Sequence, residues 1–250
     1  MAVRSLQDVL FSQGFGTRRI CAGLVQQGLV SVGGEPCRDA MAPFETEGLQ
    51  FTVQGVTWPY RERAHLLLNK PAGYECSQKP SMYPSIYTLL PAPLRTRGGG
   101  AAAGVQAVGR LDQDTTGLLL LSDDGAFIHR LSAPRHHVPK RYVVTTRHPL
   151  DEGQLSRLRS GVVLDDSPIP VRAAAAHSTG PTELQLTLTE GKYHQVKRMI
   201  AAVGNRVETL HRAQIGDLVL SSEDVPPGRW RWLTEDEIAR LRRPSQSGAS

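Results

Sequence analysis

Between Gly109 and Gly125 the chain reads GRLDQDTTGLLLLSDDG. Arg110 stands two residues before Asp112, and Asp114 follows two residues after it. A carboxylate on a short turn beside an unbroken apolar run can serve as a nucleophile or base, provided cations keep it ionised. Two later segments offer such cations: Lys140-Arg141-Tyr142, and Lys192 to Arg198, which contains Lys197. One aspartate among several cations is also the make-up of a groove for a polyanion, and Tyr142 can stack on a base.

Other chemistries fit these residues less well. Asp112-x-Asp114 as a metal pair would supply only two carboxylates, with no histidine at ligand spacing. His136-His137 has no cysteine or acidic partner at zinc-ligand spacing, which leaves an RNA-facing or structural role. A glycosidase needs two carboxyls flanking the scissile bond, and two residues apart on one turn is a poor way to achieve that. Asp114 is expected to organise its own turn or pair with an arginine, Asp123 and Asp124 to do turn and cap work, and His194 to hydrogen-bond backbone.

The elements that must hold these residues can be read from pattern. Leu118 to Leu121 is a buried strand or a short buried helix, and Ser122-Asp123-Asp124 is a helix start. His65 to Leu68 is a strand that turns at Pro71. Leu184, Leu186 and Leu188 alternate with polar residues, as on a half-buried strand. Tyr193, Val196, Ile200 and Val203 fall on one helical face, with Lys197 and Arg198 off it, and Gly204-Asn205 stops that helix. Val207 to Ile215 returns as a strand, and Thr234-Glu235-Asp236-Glu237 is a capping box. Near the N-terminus, Leu6, Val9 and Leu10, then Ile20, Leu24 and Val25, mark two short helices. Arg18 and Arg19 open the second of these, where cations oppose the helix dipole. Phosphate contact would explain them, as would a solvated pair.

These patterns imply a small domain over residues 1–55, a polar linker over 56–64 and a larger domain over 65–243. Residues 95–104 read as a flexible loop, and 244–250 as a disordered tail. The 250 residues carry a formal charge of +5 and a pI near 9.3, which favours an anionic partner such as nucleic acid. No apolar run approaches the length of a membrane span, and the N-terminus has no signal-peptide pattern. Cys21, Cys37 and Cys76 form no CxxC pair, which fits a reducing cytoplasm. Each is expected to be a small buried hydrophobe. Nothing in the sequence calls for a dimer.

The motifs GRLDQDTTGLLLLSDDG, NKPAGY, KRYVV and EGKYHQVKRM, in this order, resemble the catalytic domain of the bacterial ribosomal pseudouridine synthases, the RsuA family. SAPRHHVPKRY and AAVGNRVETLHR look most like its small-subunit branch. The N-terminal GTRRICAGLVQQGLVSVGGEPCRD resembles the small RNA-binding domain of that family, although Ser5-Leu6-Gln7-Asp8 replaces its usual basic opening. The resemblance implies an α+β fold: a central, mostly antiparallel sheet with flanking helices, split by a cleft, behind a small α/β RNA-binding domain. It implies isomerisation of a uridine in small-subunit ribosomal RNA without cofactor or metal. A large-subunit target, or a non-catalytic ribosome-assembly role, is the alternative. By motif position Asp112 is the catalytic aspartate, Lys197 its basic partner and Tyr142 the tyrosine against the base. Val196 lines the pocket and Arg110 holds the flipped-out nucleotide, while Lys140, Arg141, Lys192, Arg198, Arg18 and Arg19 are expected to bind RNA.

Overall fold

The structure, a computed structural model, describes residues 2–98 and 103–243. They divide into two compact units. The tail expected over 244–250 lies outside the described residues.

The first unit holds residues 2–64 together with the described parts of 90–106 and 122–124. It begins with β1 (Val3–Ser5), α1 (Leu6–Gln13) and α2 (Arg18–Gln26). Ser5 caps α1 by accepting from Asp8 N, and Thr17 caps α2 by accepting from Ile20 N. Both caps satisfy amides that helix geometry leaves open. Leu6, Val9 and Leu10 pack on Cys21, Val25 and Phe51, with Leu24 partly buried against them; the expected apolar faces form except at Ile20, which is exposed at the first turn of α2. The strands β2 (Val30–Val32), β3 (Glu35–Pro36), β5 (Gln50–Val53) and β6 (Val56–Pro59) make a four-stranded sheet in the order β3-β2-β5-β6, while β4 (Pro43–Glu45) pairs with β1. The helix α3 (Ala92–Thr96) completes the unit.

Two expectations change here. Residues 56–59 are a strand, not linker: Val53 pairs with Val56 across a two-residue turn in which Gln54 and Gly55 both have positive φ. That is the hairpin geometry matching strand twist, and only Gly55 signalled it. Residues 95–104 are not wholly loop either. Arg95 and Thr96 end α3, and Arg97 is buried, its Nε 2.6 Å from Asp123 Oδ2. Asp123 also accepts from Ala64 N at 2.7 Å. It is therefore a structural ion-pair partner, not a helix cap.

The second unit is built on a nine-stranded sheet with the central order β13-β14-β10-β15-β9-β7-β17. Its strands are β7 (His65–Lys70), β8 (Gln106–Ala107), β9 (Thr116–Ser122), β10 (Lys140–Thr146), β13 (Ala175–Gly180), β14 (Glu183–Leu188), β15 (Val207–Ile215), β16 (Leu218–Val219) and β17 (Trp230–Trp232). A separate hairpin joins β11 (Val162–Leu164) and β12 (Ser167–Val171). The registered pairs are antiparallel except β9 with β15, which is parallel. Helices α4 (Gly125–Ser132), α5 (Glu152–Ser160), α6 (Gln195–Ala202) and α7 (Glu235–Arg242) flank the sheet. The four leucines of β9 are wholly buried, as a central strand covered on both faces requires. Val144, Leu186, Met199 and Ile200 belong to one apolar cluster, and Leu118, Leu120, Phe127 and Ile238 to another.

Candidate active site

Asp112 lies on the turn that leads into β9. Its carbonyl accepts from Thr115 N at 3.1 Å, closing the turn. The strand then enters the sheet through Gly117, whose φ is +104°. A Cβ there would lie 2.4 Å from Arg212 O on β15, so only glycine lets the two strands meet at this point. From the end of β7, Lys70 holds the turn in place. It is fully buried, and its Nζ donates to Pro71 O (3.1 Å), Gln113 O (3.1 Å) and Thr115 O (2.9 Å). Burial pushes the Lys70 pKa down, yet three carbonyls facing one ammonium favour its charged form. The lysine ends β7, two residues after its leucine run, and its place in the NKPAGY motif was its only sequence signal.

Lys197, on the first turn of α6, bridges two carboxylates. Its Nζ is 3.1 Å from Asp112 Oδ2 and 2.6 Å from Asp114 Oδ1. Asp114 is thus part of the charge cluster rather than a turn residue alone. Partial burial would raise the Asp114 pKa, but the hydrogen bond and charge of Lys197 outweigh it and hold the carboxyl below its usual value. Burial works against the charged Lys197 as well, and the two carboxylates together raise its pKa. His194, not expected here, brings Nε2 to 3.3 Å from Asp112 Oδ1. It has a left-handed backbone at the N-terminus of α6 and stacks on Tyr193 with ring centroids 3.8 Å apart. Tyr193 is exposed, so the apolar face of α6 begins at Val196 and not at Tyr193.

Asp112 borders two hollows. The tighter one encloses about 150 Å3 and is lined by Tyr142, Leu188, Val196, Leu210 and Arg212, with Lys140 on the same wall. Arg110 and Lys192 also border it. A cavity of that size takes one six-membered ring. The wider hollow, on the side of Lys197 and Asp114, is more open and carries Tyr83 and Met82, both exposed. Thus Asp112, Arg110, Tyr142, Val196, Lys140 and Lys192 meet at one cleft, with Lys197 beside it.

Arg141 and Arg198 do not join them. Along β10 alternate side chains face opposite ways, so Arg141 points to the other face of the sheet, near His177 and Gln214. Arg198 turns back to pair with Asp166 and to donate to Tyr193 O at 3.2 Å. In the first unit, Arg18 and Arg19 open α2 as expected, but Arg18 is engaged, 3.1 Å from Asp8 and 4.2 Å over the Phe11 ring. Only Cys21 of the three cysteines is buried; Cys37, at the end of a surface hairpin, and Cys76, whose Sγ accepts from Leu111 N in the loop beside Asp112, are half-buried. Among the described residues no cluster of three or more His, Cys, Asp or Glu side chains could hold a metal ion. No described helix is long and apolar enough to cross a membrane.

Over residues 64–202 the sequence matches the family described as RNA pseudouridylate synthase, and over 4–41 it matches the S4 domain. It is 38% identical over 226 residues to ribosomal small subunit pseudouridine synthase A of Haemophilus influenzae, covering 90% of this chain and 94% of that one. Identity is also 38% over 236 residues to the protein of the same name from Escherichia coli K12, covering 94% and 98%. A crystal structure described as a pseudouridylate synthase superposes with a TM-score of 0.66 at 35% identity, over 95% of this chain and 99% of that one.

Proposed function

From a chain that belongs to the RNA pseudouridylate synthase family and carries an S4 domain ahead of its catalytic unit, we propose isomerisation of one uridine of small-subunit ribosomal RNA, with Asp112 as the catalytic group. The observation that carries the assignment is Asp112 at the mouth of a ring-sized cleft, ion-paired to Lys197 and within reach of His194. Lys197 favours the ionised carboxylate that either route requires, attack on the nucleotide or removal of a sugar proton. A uridine flipped from the RNA would place its base against Tyr142 and Val196, its ribose at Asp112 and its backbone toward the wider hollow. Arg110, which borders both hollows, is suited to the adjoining phosphate. The reaction moves a base from N1 to C5 attachment with no net oxidation, so it needs no redox cofactor.

The target follows the names of the relatives, which act on the small subunit by name. The S4 domain would add RNA contacts through Arg19 and, once freed from Asp8, Arg18. A single polypeptide holds all the groups named, so we assign a monomer acting on ribosomal RNA in the cytoplasm. The experiment is twofold. Asp112→Asn should abolish pseudouridine formation in a ribosomal RNA substrate while leaving RNA affinity unchanged; an active variant would overturn the role of Asp112. Mapping pseudouridines in a strain lacking the gene should show one position lost from small-subunit RNA, and a loss from large-subunit RNA would replace that target.

A further inference from the structure

Strands β10 and β15 pair antiparallel, with Arg141 opposite Gln214 and Tyr142 opposite Arg212. One residue of β15, Ala213, is therefore skipped as a bulge. Without it Arg212 would pair with Val143 and face away from Tyr142. With it, Lys140, Tyr142 and Arg212 share one face of the sheet and one cleft.

Arg212 is 3% exposed. Its Nε donates to Leu118 O at 2.8 Å, and its Nη2 is buried without a hydrogen-bond partner. Thr115 Oγ1, on the same cleft wall, is buried and unpartnered too. Lys140 Nζ donates to Val138 O at 3.2 Å. Among the described residues no carboxylate comes within ion-pair distance of Lys140 or Arg212. Glu190, which also lines the cleft, is occupied by the Gln195 amide at 2.8 Å. A buried guanidinium with a half-buried ammonium beside it and no counter-ion for either is costly, and a fold that keeps them has a site short of negative charge. Burial and the nearby guanidinium push the Lys140 pKa down to about 8, in keeping with that shortage.

Leu188, Val196 and Leu210 line this cleft beside the two cations; such apolar walls suit the faces of a flat base and would strip water from a phosphate without replacing it, which favours the base itself as the source of the negative charge that meets the pair. We infer that Arg212 and Lys140 hydrogen-bond the carbonyl oxygens of the target uracil and carry the negative charge it acquires on leaving the sugar. The inference rests on the reading that the cleft holds the target uridine. When the C1′–N1 bond breaks, its electron pair goes to the base, and the charge spreads over N1, O2 and O4. After rotation, C5 uses a ring electron pair to bond C1′. The C5 hydrogen then leaves as a proton and N1 takes one up, so the product is an isomer of the substrate. Attack of Asp112 on the sugar and removal of a sugar proton both release this same anion. Donors fixed where charge develops lower the barrier without having to reorganise.

The test is single-turnover conversion of RNA by Arg212→Gln and by Lys140→Met, at saturating protein. Each rate should fall about a hundredfold, the usual cost of one lost oxyanion donor, with RNA affinity and its salt dependence unchanged. On RNA bearing 5-fluorouridine at the target, followed as loss of the N-glycosidic bond, the fluorine itself stabilises the departing anion. The loss there should shrink to about tenfold or less, as expected when the leaving group needs less electrostatic help. Arg212→Lys, which keeps the charge, should recover part of the rate. Equal losses on both substrates would mean a structural defect, and weaker binding with a flatter salt dependence would mean a phosphate contact; either overturns the inference. Should Arg212→Gln fail to fold, Lys140→Met decides the matter. A wild-type protein that converts no uridine would instead overturn the reading on which this rests.

Discussion

Replacing Lys140 with methionine should make the protein more stable and less active at once. The Lys140 ammonium is held where burial and Arg212 lower its pKa from 10.5 to about 8. At about 1.4 kcal/mol for each tenfold change in proton affinity, keeping the charge at neutral pH costs on the order of 3 kcal/mol. Methionine fills a similar volume without charge, and it forfeits the hydrogen bond to Val138 O, worth about 1 kcal/mol. The net gain expected is about 1–2 kcal/mol, or roughly 3–6 °C in Tm for a chain of this size. The pH dependence has a fixed sign. Below about 8 both folded and unfolded chains protonate Lys140, so the full penalty is present. Between about 8 and 10.5 only the unfolded chain holds that proton, so wild-type stability rises through the window and the advantage of the variant shrinks. Arg212, Arg110, Lys192 and Glu190 face the same cleft, and they are unchanged in both proteins, so the difference between them isolates Lys140. Urea unfolding of wild type and Lys140→Met across this range is the assay. A variant less stable than wild type at neutral pH, or a difference that does not change with pH, would refute the reasoning. A stabilised variant with a lowered rate could not owe that rate to unfolding.

Lys70→Met should destabilise the protein by at least about 3 kcal/mol, since it strips the shared donor from three backbone carbonyls around the Asp112 turn; a loss under about 1 kcal/mol in urea unfolding would show the turn is held otherwise. Arg19→Ala should lower the salt slope of RNA binding by about one, as for one lost phosphate contact. Arg18→Ala should lower it less, because Arg18 must first leave Asp8; equal slopes for both variants and wild type would assign the pair to the solvated surface.

Local pattern was enough for the framework. The four leucines after Gly117, the alternating leucines of β14 and the capping box of α7 each state a strand or helix through the neighbours they have in sequence. The candidate aspartate was legible for the same reason: a charged turn against a buried strand is a local feature, and the family resemblance gave it partners in Tyr142 and Lys197. What the tertiary structure decided lies in contacts between distant segments. Lys197 lies 83 residues from Asp114, and only the approach of α6 to the β9 turn lets it serve both aspartates. His194 reaches Asp112 through a left-handed backbone that no residue type at that position announces. Arg97 and Asp123 look like loop and cap residues until they meet in a buried ion pair. The sharpest case is the basic run itself. Because side chains alternate along a strand, Lys140 and Tyr142 enter the cleft while Arg141 leaves it. A bulge of one residue in the neighbouring strand then brings Arg212 in beside them. Composition supplied the cations; register chose which of them the cleft would have.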